Sequence, residues 1–107
     1  MEQQTKWHQV DFYVGLLDSD EYCQKFILKE AVDIITDLIG DCTIIPCIGS
    51  YKNPLGLRVN MNTLHITKFI KEHPKYFKIH YRNKFKEIFN QKSIIVHSSE
   101  CENLEIL

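Results

Sequence analysis

The sequence predicts an α+β protein with a ferredoxin-like order of elements, β-α-β-β-α-β. Four antiparallel strands form one sheet, and two helices cover one of its faces. Two observations carry this. Alternating segments and helical stripes follow one another in that order along the chain. A proline, Pro46, falls inside the second strand, which this fold leaves at a sheet edge where a missing donor is tolerated. Right-handed crossovers then place strands one and three in the centre and strands two and four outside.

The first strand is read from Trp7 to Leu16, where Val10, Phe12, Val14 and Leu16 alternate with Gln9, Asp11 and Tyr13. The acidic run from Asp18 to Glu21 breaks it as a solvated loop. Ala31, Ile34, Ile35 and Leu38 then recur at helical spacing opposite Lys29, Glu30, Asp33 and Asp37, and Gly40 stands where a helix would end. A second strand spans Thr43 to Tyr51. Asn53, Pro54 and Gly56 supply turn chemistry, and a third strand runs from about Val59 to Lys68. Pro74 opens the second helix, whose stripe is Phe77, Tyr81, Phe85, Ile88 and Phe89. A last short strand is read over Ser93 to His97, with the tail from Ser98 fraying or packing as an extra arm.

A chain of 107 residues suggests one domain, with a core from about 7 to 98 and a tail from 99 to 107. The net charge of -1 supplies no global field to draw it to nucleic acid or anionic lipid. No apolar run reaches bilayer length, and the polar N-terminus has no secretory pattern, so a cytoplasmic setting with reduced thiols is expected. Cys23, Cys42, Cys47 and Cys101 match no metal spacing and are read as small core or surface residues. No cofactor or metal motif is present in the sequence.

Strand parity names the residues of the uncovered sheet face. Val10, Phe12, Val14, Leu64 and Ile66 should face the helices. Asp11, Tyr13, His65 and Thr67 should then share the other side, with His65 in reach of Asp11 or Tyr13. Together with Gly49, Tyr51, Gln91 and Ser93 at the strand ends, they are the candidate contact residues. An open face of this kind either pairs with a second copy, which makes a dimer or higher oligomer the expectation, or holds a small ligand. Lys75, Lys78, Arg82 and Lys86 form a basic stripe on the second helix, read as a solvated face.

Two segments carry a catalytic alternative. His65 with Thr67, and His97 with Ser99, each place a hydroxyl residue two positions after a histidine on a strand. That pattern resembles the two-histidine phosphoesterases, where one imidazole acts as base, the other as acid, and the hydroxyls hold phosphate oxygens. His65, Thr67, His97 and Ser99 would then be the catalytic set.

A second resemblance covers most of residues 8 to 97. It rests on Phe12-Tyr13-Val14-Gly15-Leu16, on Gly40 to Thr43, on Gly49-Ser50-Tyr51, and on Phe89-Asn90-Gln91-Lys92-Ser93-Ile94. These runs resemble a family of small, functionally uncharacterised bacterial and phage domains. The chain departs from it at Asn60, Met61 and Asn62, where that family carries a Glu, and at Lys92. The resemblance implies a ferredoxin-like fold and a phage setting. By analogy it implies a non-enzymatic phage accessory or anti-defence factor, in the host cytoplasm, binding a host protein or a small nucleotide-like ligand. That is the first functional expectation, with the phosphodiesterase as its alternative.

Overall fold

A computed structural model describes residues 6–17 and 26–105. The elements are β1 (His8–Gly15), α1 (Leu28–Ile39), β2 (Thr43–Lys52), β3 (Arg58–Ile70), α2 (Pro74–Ile88) and β4 (Ile95–Glu100). The four strands form one antiparallel sheet in the order β2-β3-β1-β4, which is the α+β, ferredoxin-like arrangement expected. The acidic run at Asp18 to Glu21 and Cys23 lie outside the described residues.

The period-two pattern of β1 does what it predicts. Val10, Phe12 and Val14 are fully buried, as are Leu64 and Ile66 of β3, and all five belong to the core under the helices. From α1, Ala31 and Ile35 complete that layer, and from α2 Phe85 packs edge-on to Phe12 at 5.2 Å. Aromatic edge-to-face contact adds to the area that both rings bury.

Local chemistry ends each helix. α1 stops at Gly40, whose φ of 79° suits a residue without a Cβ. Lys68 on β3 reaches over and donates to the carbonyls of Ile39 and Asp41, at 2.9 and 2.8 Å, so a cation satisfies the C-terminal end of α1. α2 starts with Pro74 in its first turn, and the Nδ1 of His73 accepts from the Lys75 amide at 3.2 Å. In the β2–β3 turn the Asn53 side chain accepts from the amides of Leu55 and Leu57, both at 3.0 Å, and Gly56 takes a φ of 79°.

Several strand boundaries differ from the sequence reading. β4 starts at Ile95 and continues through Ser98 and Ser99 to Glu100, beyond the expected end at His97. Its polar second half carries no apolar alternation to announce it, yet it pairs along β1 as far as His8↔Glu100. β2 and β3 also run longer than expected, and their pairing passes the end of β1. Gly15 opposes Thr63, while Lys52 opposes Arg58 further out. The hairpin therefore overhangs the three-strand body, which explains why Ile48, Leu55 and Leu57 are exposed. Among the described residues no helix is long and apolar enough to cross a membrane.

Candidate functional site

Register sorts the open face into cross-strand rows. One row runs Thr43, Thr67, Asp11, His97, and the next runs Ile45, His65, Tyr13, Ile95. Beyond them come Cys47, Thr63 and Gly15, and then Gly49 and Met61. The first two rows carry large or polar side chains. The outer rows carry two small residues and two glycines around Met61, so the surface dips there.

The dip is a cavity of about 650 Å³. Its floor is Gly15, Cys47, Gly49 and Thr63, and its walls include Tyr13, Tyr51, Met61, Ile95 and the segment Gln91, Lys92 and Ser93. A Cβ on Gly49 would stand 2.7 Å from the Thr63 hydroxyl oxygen, so the hollow depends on the missing side chain. Gln91 ties the wall to the body by donating to the carbonyls of Leu17 and Phe89. The volume falls within the ~300–1,000 Å³ typical of small-molecule sites, which are mostly apolar with a few polar groups. Leu17, Ile48, Ser50 and Pro54 complete the lining; Lys92 is its charged side chain, and no acid or histidine of the described residues takes part.

Beside the cavity lies a compact polar network. Asp11 is 6% exposed although it faces the uncovered side. Its Oδ1 accepts from the Thr67 hydroxyl at 2.8 Å and lies 2.9 Å from the His65 Nε2, and Gln9 donates to both oxygens, at 3.3 and 3.1 Å. His65 stacks on the ring of Tyr13, with centroids 4.3 Å apart and planes 15° from parallel. Burial pushes the Asp11 carboxyl up, but hydrogen bonds from His65, Thr67 and Gln9 outweigh it and hold the group below its ordinary range.

Such a carboxyl contributes stability above its unfolded pKa and loses that contribution as pH falls through the lower, folded one. Urea unfolding should therefore show a falling midpoint on acidification below about pH 4, with a flatter acid limb in Asp11→Asn. An equal acid limb in both proteins would remove the network's role in stability.

Of the eight expected contact residues, Tyr13, Gly49, Tyr51, Gln91 and Ser93 line the cavity. Asp11, His65 and Thr67 form the network behind Tyr13 instead. Gly15, Cys47, Met61 and Thr63 were missed. Nothing in their local sequence marks them, because only the register gathers them.

The phosphodiesterase arrangement is corrected by this geometry. His65 and His97 do approach one point, but a carboxylate occupies it. The His97 Nδ1 lies 4.0 Å from Asp11 Oδ2, across from the His65 contact to Oδ1. A phosphate placed between the imidazoles would meet that anion. The Thr67 hydroxyl is turned to Asp11, and Ser99 sits opposite Gln9 in the β1–β4 register. A second, smaller hollow of about 320 Å³ lies between α2 and β4, lined by Lys75, Lys78, Ile79, Arg82 and Val96. Among the described residues no group of three or more histidine, cysteine or acidic side chains is arranged so that it could hold a metal ion.

No protein-family model matches the chain, and no curated protein matches it. Two solved structures share its fold. A phage SAM lyase in complex with S-methyl-5'-thioadenosine is 21% identical, with a TM-score of 0.71, over 94% of this chain and 86% of that one. A phage SAM lyase in the apo state is 19% identical, with a TM-score of 0.60, over the same shares. Both are structures of an enzyme, and they overturn the expectation of a non-enzymatic binding protein on this scaffold.

Proposed function

We propose that the chain is an enzyme acting on S-adenosylmethionine as a lyase, with the cavity on the open face holding the adenosyl thioether end. The observation that carries this reading is the cavity itself. It is a glycine-floored hollow of about 650 Å³ walled by Tyr13, Tyr51 and Met61, in a chain whose fold is shared by a nucleoside-bound SAM lyase. Aromatic walls suit a purine and a sulfonium alike, since a π face stacks on one and attracts the other.

Cleavage that yields S-methyl-5'-thioadenosine breaks the bond between the sulfonium sulfur and the amino-acid chain. The electron pair leaves with sulfur, which becomes a neutral thioether. A lyase adds no water, so the four-carbon fragment completes its own valence. It does so by closing its carboxylate onto the freed carbon or by losing a proton to a base. The described lining offers no carboxylate or imidazole to take that proton, which favours ring closure by the substrate's own carboxylate. The protein's part is then to hold the bent substrate and keep water out.

Incubating the purified protein with S-adenosylmethionine and following nucleosides by chromatography tests this. The expected product is S-methyl-5'-thioadenosine, accumulating in step with the loss of substrate. Substrate left intact, or adenosine products that retain the amino-acid chain, would end the proposal.

A further inference from the structure

We infer that Asp11 selects a cationic sulfur centre over a neutral one, acting through the Tyr13 wall and the His65 ring stacked behind it. The inference rests on the cavity's being a site for S-adenosylmethionine and adds the origin of its charge preference. A sulfonium makes no conventional hydrogen bond, so a pocket can recognise it only by an aromatic face or a negative field. The described lining supplies the first in Tyr13 and Tyr51 but not the second, because its charged side chain is the cation of Lys92.

A negative charge does stand directly behind the wall. Tyr13 stacks on His65 at 4.3 Å, and His65 in turn meets Asp11 at 2.9 Å. Asp11 is the one acidic residue in the cross-strand rows of the open face. At 6% exposure its field is screened less than that of a surface carboxylate. The Asp11 carboxyl is held below its ordinary range by its hydrogen bonds, so a negative charge stands behind Tyr13.

The groups facing the pair come from every strand. β1 gives Asp11 and the Gln9 amide, β3 gives the Thr67 hydroxyl, and β2 gives the apolar Ile45 opposite His65. β4 gives His97, whose Nδ1 lies 4.0 Å from the second carboxylate oxygen.

Two probes isolate the charge at sulfur. S-adenosylhomocysteine carries a neutral thioether. Sinefungin has the same nucleoside and the same amino-acid end, with an ammonium-bearing carbon in place of sulfur. Their dissociation constants are measured by calorimetry under one set of conditions, in the wild type and in variants at Asp11.

The wild type should prefer sinefungin by roughly tenfold, the scale of one unit charge acting across an aromatic ring at an effective dielectric near 20. Asp11→Asn should abolish the preference, while Asp11→Glu, which keeps the charge, should retain most of it. S-methyl-5'-thioadenosine, neutral at sulfur, is the control: an affinity for it in Asp11→Asn equal to that of the wild type shows that the variant keeps its fold and its cavity. A preference that survives Asp11→Asn overturns the inference while leaving the cavity assignment intact. If neither probe binds the wild type, the cavity assignment falls and takes the inference with it.

Discussion

Gly49→Val is expected to weaken binding of S-methyl-5'-thioadenosine at least about a hundredfold, the consequence of filling the floor of a small-molecule site. Gly49 lies on β2 in the overhanging part of the hairpin, and its backbone is outside the left-handed region, so a β-branched residue fits the strand locally. The new side chain would rise where its Cβ alone comes 2.7 Å from the Thr63 hydroxyl and 3.7 Å from the Met61 Cγ. Thr63 must turn and Met61 must move inward, and both displacements take volume from the ligand. The strand is an edge strand outside the main core, so the melting temperature should fall by only a few degrees. Calorimetry beside thermal unfolding separates the two effects. Full affinity in a folded Gly49→Val protein would show that the nucleoside binds elsewhere.

The largest stability effect should come from Phe85→Ala, with a loss of about 3–5 kcal/mol. Phe85 is fully buried and meets Phe12 at 5.2 Å with planes 82° apart; Phe89 follows it at 6.4 Å. Removing the ring opens a hole between α2 and β1, and the flanking aromatic rings are too constrained to close it. In a protein of this size the melting temperature should drop by roughly 15 °C or more. A loss below about 1 kcal/mol in urea unfolding would mean that α2 is not anchored through this ring. The loss reaches the site as well. The chain leaves α2 through Phe89 and Asn90 directly into Gln91, Lys92 and Ser93 of the cavity wall. A loosened α2 would therefore lower ligand affinity even where the protein still folds.

The fold was legible because its signals are local. β1 announces itself through Val10, Phe12 and Val14. Pro46 marks β2 as an edge, and the parity of β3 puts His65 on the uncovered face, where it meets both Asp11 and Tyr13. The end of β4 was not legible, since Ser98, Ser99 and Glu100 have no apolar rhythm and are held by backbone pairing with β1. Strand parity gave Tyr13, and the end-of-strand positions gave Gly49, Tyr51, Gln91 and Ser93. The cavity joining them was hidden, because it exists only once register sets Gly15 beside Thr63 and Cys47 beside Thr63 from the other side. The two histidine motifs misled for the same reason. Their spacing is real, but the residue between them in space, Asp11, lies more than fifty positions away in sequence from His65.

The glycine floor sets a direction on change in this protein. At Gly15 and Gly49 every possible replacement adds atoms, so single substitutions at these two sites can make the recess shallower but never deeper. Variation there would trim the range of molecules admitted, and a lineage that needed a bulkier guest would have to reshape the rim at Tyr51, Met61 or Ile95 instead.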